Sequence, residues 1–233
     1  MPARCLLYYI TDRNAFPGDE SSRRRALIEK IGEAARAGVD YIQLREKDLS
    51  TRDLELLAKE AVSAIRRVRR SSGNSHPATA LLINSRTDVA LAVEADGVHL
   101  RSDDVSPEEV RAAWTRCGAG TPFDKLRAGS ARQNPARAPI VAISCHSSAE
   151  VVEAAAWGAT LAVFGPVFEK RHAHAVGLEL LREACLANIP VLALGGITLE
   201  NTNSCLAAGA AGIAAIRLFQ ENDIARVVKQ LRG

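Results

Sequence analysis

Aromatic residues make up only 4% of this 233-residue chain, which contains a single methionine and two tryptophans. A core must therefore be built from aliphatic side chains, and with hydrophobic residues at 47% there are enough for one compact domain. No apolar run approaches the roughly 20 residues that a membrane-spanning helix needs. The start, "MPARCLLYYITDR", also lacks the longer apolar stretch of a secretory signal, so a cytoplasmic location is expected. The five cysteines (Cys5, Cys117, Cys145, Cys185 and Cys205) are dispersed, with no C-x-x-C pair, which excludes a disulfide framework or a zinc cluster and leaves them as small core residues. A formal charge of +3 is too weak to imply nucleic acid, and "RRVRR" at 66–70 reads as a solvated helix face. Neither a nucleic-acid nor a membrane partner is expected. Anionic small molecules remain, and the oligomeric state stays open to a homo-oligomer.

What is present is a rhythm. Short apolar runs alternate with longer Ala-, Leu-, Glu- and Arg-rich segments of helical period. The runs predict strands at 6–10, 39–44, 79–83, 96–100, 139–143, 159–164, 189–194 and 211–216. Helix starts punctuate the segments between them: "SPEEV" offers Ser106 as N-cap and Pro107 at the first helical position, and "HSSAEVVEAAA" and "TLENTNSCLAAG" have polar beginnings. Eight such units predict an α/β fold, the TIM (β/α)8 barrel as a single domain over 1–233, whose sites lie where strands end. An open doubly wound sheet is the alternative. One stretch breaks the pattern: 116–139 is Gly-, Pro- and Arg-rich and reads as an inserted loop, its "TPFDKLRAGS" resembling a translated mobile repeat with no catalytic role.

The stretch "VDYIQLREKDLS" at 39–50 runs from an apolar strand into four consecutive charges. Period-two alternation places Gln43, Arg45 and Lys47 on one side and Leu44, Glu46 and Asp48 on the other. A solvated strand end with local ion pairs would explain the charges alone. Gln43, inside the apolar register, needs hydrogen-bonding partners that an anion or a polar ring would supply. Other predicted strand ends are also polar: Thr11-Asp12, Asn84-Ser85-Arg86, His99 with Asp103-Asp104, Ser144-Cys145-His146, "GPVFEKRHAH" and Arg217. In "ALGGITLEN", Gly195 and Gly196 let backbone amides approach a ligand, and a helix starting near Thr198 or Leu199 would point its positive end there. His172 and His174, beside Lys170 and Arg171, read as part of a substrate-facing loop, and His76 as an exposed residue.

Together, "YYITDR", "YIQLREKD", "LLINSRTDVALAVEADGVHL", "ISCHSSAEVVEAAAWGATLAVFGPVF", "IPVLALGGITLEN" and "AAGAAGIAAI" are similar to the thiamine phosphate synthase and thiazole tautomerase superfamily, over nearly the whole chain except the insertion. For the synthase branch the resemblance implies a barrel in which Mg2+ assists the joining of a pyrimidine methyl diphosphate to a thiazole phosphate, with release of diphosphate. It assigns Gln43, Arg45, Lys47 and Asn84 to the pyrimidine and diphosphate, and Ser144 to the diphosphate. Gly177, Gly196, Ile216 and Arg217 are assigned to the substrate phosphates, and Asp104 to the metal. The chain departs from the family pattern at several points. Ser85 stands where synthases carry a second metal-binding Asp. Arg101-Ser102-Asp103-Asp104 replaces Gly-Gln-x-Asp, and the loop "EKRHAHAVGL" lacks the Thr-x-Thr-Lys clamp, leaving Lys170 and Arg171 as its cations.

The tautomerase branch uses a His after strand five, and His146 holds that position, where a ring titrating near neutrality suits removing and returning a proton. The leading reading is thiamine phosphate synthase activity on small phosphorylated pyrimidine and thiazole substrates. A tautomerase using His146, and a catalytically silent barrel that binds a thiamine precursor, are the alternatives.

Overall fold

The computed structural model describes residues 4–71, 78–118, 138–168 and 175–233. Its eight strands are β1 (Leu6–Ile10), β2 (Tyr41–Leu44), β3 (Ala80–Asn84), β4 (Gly97–Leu100), β5 (Ile140–Cys145), β6 (Leu161–Phe164), β7 (Val191–Leu194) and β8 (Gly212–Ala215). All pair in parallel in chain order, and β8 closes on β1 with Tyr8 opposite Ala214. The barrel is therefore closed, not an open sheet, and every expected strand is present. The extra leading residues expected at most of them, such as Val39-Asp40 before β2, belong instead to the turns entering the strands.

Alternation along each strand divides the apolar side chains into two sets. Tyr8, Ile10, Leu82, Ala142, Leu161, Val163, Leu192 and Ala214 fill the barrel interior. Leu7, Ile42, Leu44, Leu81, Ile83, Val98, Val141 and Phe164 pack outward under the helices. The helices are α1 (Glu20–Ala37), α2 (Thr51–Ser71), α3 (Thr87–Ala92), α4 (Pro107–Gly118), α5 (Ser148–Ala156), α6 (Gly177–Ala184), α7 (Thr202–Ala207), α8 (Arg217–Gln220) and α9 (Ile224–Arg232). Ser106 caps α4 as expected, its hydroxyl accepting from the Glu109 N–H at 3.2 Å. The insertion expected from 116 begins as the last turn of α4, and 119–137 lie outside the described residues.

"RRVRR" lies on α2 with its arginines exposed, as expected, and Arg66 pairs with Glu94 at 3.0 Å. At the opposite end of the barrel from the site, Arg232 of α9 pairs with Asp40 and donates to the Gly38 carbonyl at 2.6 Å, tying the last helix to the turn before β2. Among the described residues no helix is long and apolar enough to cross a membrane. Cys5, Cys145 and Cys205 are buried, Cys185 is half-buried and Cys117 is exposed, all as free thiols.

Candidate active site

The charges after β2 serve two faces. Glu46 is buried and accepts from the Thr11 hydroxyl at 2.6 Å, from the Arg13 backbone at 3.1 Å and from the Arg13 guanidinium at 3.2 Å. Burial pushes the Glu46 carboxyl up, and these donors counteract it only in part. Asp48 receives a two-pronged bond from the same guanidinium at 2.6 and 2.7 Å, which lowers its carboxyl to about 2. Thr11 also accepts from the Arg45 backbone N–H at 3.0 Å. The outward acids thus clamp the loop after β1 to the loop after β2, and this fixes the chain direction that leaves Arg45 half-buried and Lys47 exposed on the other face. Among the described residues neither cation has a side-chain hydrogen bond or ion pair. The Arg45 charge is the first cause holding the Lys47 ammonium below its usual range, followed by burial and then by the Arg101 charge.

Inside the mouth, the Tyr8 hydroxyl lies 2.7 Å from His99 Nδ1, and His99 Nε2 lies 2.8 Å from Ser144 Oγ. Burial keeps the Tyr8 phenol protonated, pushing it well above the usual value, and its hydroxyl has no other protein partner among the described residues. The phenol therefore donates to Nδ1, because the reverse arrangement would leave its proton buried without an acceptor. His99 then carries its proton on Nε2 and donates to Ser144 Oγ, so the serine proton remains available to an acceptor in the mouth. Burial, and secondly the Arg45 charge, lower the imidazole to about 3, so it stays neutral. Arg45 is thus within electrostatic reach of His99. Replacing Tyr8 by Phe should destabilise the fold by about 1–3 kcal/mol through an unpaired Nδ1. It should also mix the His99 tautomers, read by imidazole 15N shifts, and unchanged shifts would remove Tyr8 from this role.

A second row runs from β2 to β4. Gln43 is buried and donates to Asn84 Oδ1 at 2.7 Å, while its own Oε1 has no partner among the described residues. Asn84 donates to Ser85 Oγ at 3.3 Å, and Ser85 donates to Asp104 Oδ2 at 2.6 Å. Asp104 Oδ2 also accepts from the Arg101 N–H at 2.8 Å, and Oδ1 lies 3.4 Å from the Arg101 guanidinium. Burial raises the Asp104 carboxyl, but these donors outweigh it and hold it below the usual range. Magnesium wants several hard oxygen ligands with little competing positive charge. Here one carboxylate is already bonded to a hydroxyl, an amide and a guanidinium, and Ser85 adds no charge. Among the described residues no group of three His, Cys, Asp or Glu side chains could hold a metal. The donor set at Asp104 does not fit a protein-chelated magnesium ion.

The ends of β7 and β8 open into a cavity of about 630 Å³ lined by Gly195 to Glu200, Ile216 to Leu218, Asn222 and Asp12. Gly195 and Gly196 have φ of 102° and 64°, and a Cβ on Gly195 would meet Pro166 at 2.6 Å. The helix expected near Thr198 or Leu199 starts at Thr202 instead. The reason is local: the Thr198 N–H donates to Asn201 Oδ1 at 2.8 Å and the Asn201 N–H to Thr198 Oγ1 at 3.3 Å, which holds a turn ahead of the helix. The cavity is therefore walled by loop backbone on the β7 side, while Ile216 and the exposed Arg217 border it at the start of α8.

Gly177 opens α6 with its N–H donating to Val167 O at 3.1 Å, so that amide is not free for a ligand. His146 follows β5, is exposed, and donates from Nδ1 to Gly165 O at 2.6 Å, while its Nε2 has no partner among the described residues. Lys170, Arg171, His172, His174 and His76 lie outside the described residues.

Three contributors escape a reading by pattern. Tyr8 looked like any strand aromatic. Arg13 sat in a polar loop without signal. Gln220, buried on α8, accepts from Tyr9 at 3.0 Å and from the Asp12 N–H at 3.2 Å, so it ties the β1 loop to the cavity wall.

A family model described as thiamine monophosphate synthase matches residues 7–121 and 117–219. The "Putative thiamine-phosphate synthase 2" of Aquifex aeolicus is 36% identical over 219 residues, covering 92% of this chain and 97% of that protein. The thiamine-phosphate synthase of Clostridium novyi is 33% identical over 222 residues, covering 93% and 91%. Among solved structures, a thiamine phosphate pyrophosphorylase from Pyrococcus furiosus superposes with a TM-score of 0.72 at 29% identity, covering 99% of this chain and 95% of that one. With relatives above 30% identity that it spans almost end to end, this chain belongs to the thiamine monophosphate synthase family.

Proposed function

We propose that this protein is a cytoplasmic thiamine-phosphate synthase, joining hydroxymethylpyrimidine diphosphate to thiazole phosphate with release of diphosphate. The observation that carries this reading is the pair of cations after β2, Arg45 and Lys47, which have no carboxylate partner among the described residues, with the Ser144 hydroxyl at the end of β5 held by His99 at 2.8 Å. Such a group suits an anion whose charge grows during the reaction.

In the proposed step the bond between the pyrimidine methylene carbon and the diphosphate oxygen breaks, and the electron pair leaves with diphosphate. Arg45, Lys47 and the Ser144 O–H meet that charge. The thiazole nitrogen then donates its lone pair to the methylene carbon, forming the new C–N bond. Gln43 Oε1, buried without a donor, would accept from the aminopyrimidine N–H, and Asn84 holds the Gln43 amide in place. The loop at Gly196, with Ile216 and Arg217, would seat the thiazole phosphate in the cavity at the ends of β7 and β8.

The test is diphosphate release from the two phosphorylated precursors, assayed with and without Mg2+. Release above a boiled control is expected, and none under either condition would defeat the reading.

One observation favours a second activity. With Nδ1–H committed to Gly165 O, the His146 Nε2 lone pair is presented as a base, the arrangement that a thiazole tautomerase needs. Under the synthase reading, His146→Ala should change diphosphate release by less than about threefold, because no developing charge falls on it. A loss of about 10²-fold or more in tautomerisation of the thiazole carboxylate, with synthesis retained, would assign His146 to a second, tautomerase activity, and unchanged tautomerisation would remove it from that role.

A further inference from the structure

We infer that Arg101, with Lys47, binds the diphosphate group directly and takes the place of a magnesium ion chelated by protein carboxylates; this rests on the synthase reading above. Three features of the β2–β4 side converge on it.

First, Asp104 is already engaged. Both of its oxygens face donors, one the Ser85 hydroxyl and the Arg101 amide, the other the Arg101 guanidinium. A guanidinium held 3.4 Å from the carboxylate neutralises it and would stand beside any divalent ion placed there. Ser85 directs its proton at Asp104, and its lone pairs carry no charge with which to compensate.

Second, Arg101 occupies a position from which a ligand is reachable. It lies two residues beyond His99, continuing the inward row of β4, just as Arg45 continues the row of Gln43 on β2. Arg101, Lys47, Asn84 and Ser85 border one cleft of about 230 Å³ at the rim of the barrel, whose outer wall is formed by Leu44, Leu49, Leu54 and Glu46, the last neutralised by Arg13. Arg101 pairs with Asp103 at 3.3 Å and with Asp104 at 3.4 Å, whereas Arg86, on the same cleft, is held more tightly, by Asp88 at 2.6 and 2.9 Å and by Thr51 at 3.0 Å, so Arg86 belongs to the scaffold.

Third, the charges of Arg45 and Arg101 both reach Lys47. The Lys47 ammonium is lowered by Arg45, by burial and by Arg101. Like charges brought together in one cleft are relieved by a bound anion, and a guanidinium presents a planar fork that matches phosphate oxygens in pairs. The carboxylate behind Arg101 then orients the guanidinium and does not serve as a metal ligand. In the reaction, the electron pair that leaves on the diphosphate oxygen is met by Arg101 in addition to Arg45, Lys47 and the Ser144 O–H, and no further reactant is needed.

The experiment is calorimetric titration of the full-length protein with inorganic diphosphate in EDTA, repeated in MgCl2, with MgCl2 alone as a third titration. Saturable diphosphate binding in EDTA is expected, with no saturable heat from MgCl2 alone. Arg101→Gln should weaken the EDTA affinity about tenfold or more, and Arg101→Lys, which keeps the charge without the fork, should fall between. Thermal melts of both variants report on folding, and if Arg101→Gln does not fold, the Lys variant decides by the same comparison. Diphosphate binding that requires Mg2+, or an unchanged affinity in the variants, overturns the inference. An enzyme that turns over both precursors but binds diphosphate only with Mg2+ defeats this inference and leaves the synthase reading standing. Binding in EDTA without turnover does the reverse.

Discussion

Arg45→Ala should lower diphosphate-releasing turnover by about 10²- to 10³-fold, the loss typical of removing one preorganised charge-stabilising group, while the barrel stays folded. Arg45 has no side-chain partner among the described residues, so its removal leaves no buried group unpaired. The backbone at this position is held through its N–H to Thr11 Oγ1 at 3.0 Å, a bond that alanine retains. Because the charge is used most as diphosphate departs, kcat and kcat/KM should fall together, and Arg45→Lys should recover part of the rate. A spectroscopic signature accompanies the loss. Burial is the first cause of the depressed His99 imidazole and Arg45 the second, so the His99 value should rise from about 3 in the variant without reaching that of an exposed ring. Turnover within about threefold of the parent would remove Arg45 from the mechanism.

Arg13→Ala should cost about 3–5 kcal/mol of stability, the range for breaking a buried ion pair and stranding its partner. Glu46 would keep the Thr11 hydroxyl and the residue-13 amide but lose the guanidinium. The cost should depend on pH in a definite sense. The folded-state carboxyl of Glu46 already lies above its ordinary value, so its contribution to stability is full below that ordinary value and is lost as pH rises through the folded one. Without Arg13 the folded value rises further. The penalty measured by urea denaturation should therefore be larger at pH 7.5 than at pH 5. Asp48, lowered to about 2, has the opposite dependence, but its contribution changes only at pH values below this window. A penalty that grows on acidification would contradict the assignment of Glu46 as the stranded charge.

The eight strands and their handover to polar mouths were legible because they depend on short-range pattern. A β-strand shows its two faces every second residue, so the split of Gln43, Arg45 and Lys47 from Glu46 and Asp48 follows from spacing alone. The structure has the acids turned outward to Arg13 as that spacing requires. The N-cap at Ser106 is equally local. The helix after Gly196 was misplaced by the same kind of reading: Thr198 and Asn201 bond each other's backbones first, a competition between two local motifs that the polar start does not resolve.

The sequence by itself determined the number and order of the βα units, the inward row of Gln43 and the two cations beyond it, and the neutral Ser85 at the end of β3. Each of these depends on the identity of a residue and its distance along the strand from its neighbours. Only the tertiary structure decided what those groups touch. Tyr8, His99 and Ser144 form one chain across separations of 91 and 45 residues, and Arg13 finds Glu46 across 33, because closing the barrel brings the strand ends into one ring. The guanidinium of Arg101 faces Asp104 for a related reason. The turn after β4 folds residue 104 back so that its carboxylate accepts the residue 101 amide, and that places the arginine where the composition of the strand end alone would have put a metal ion.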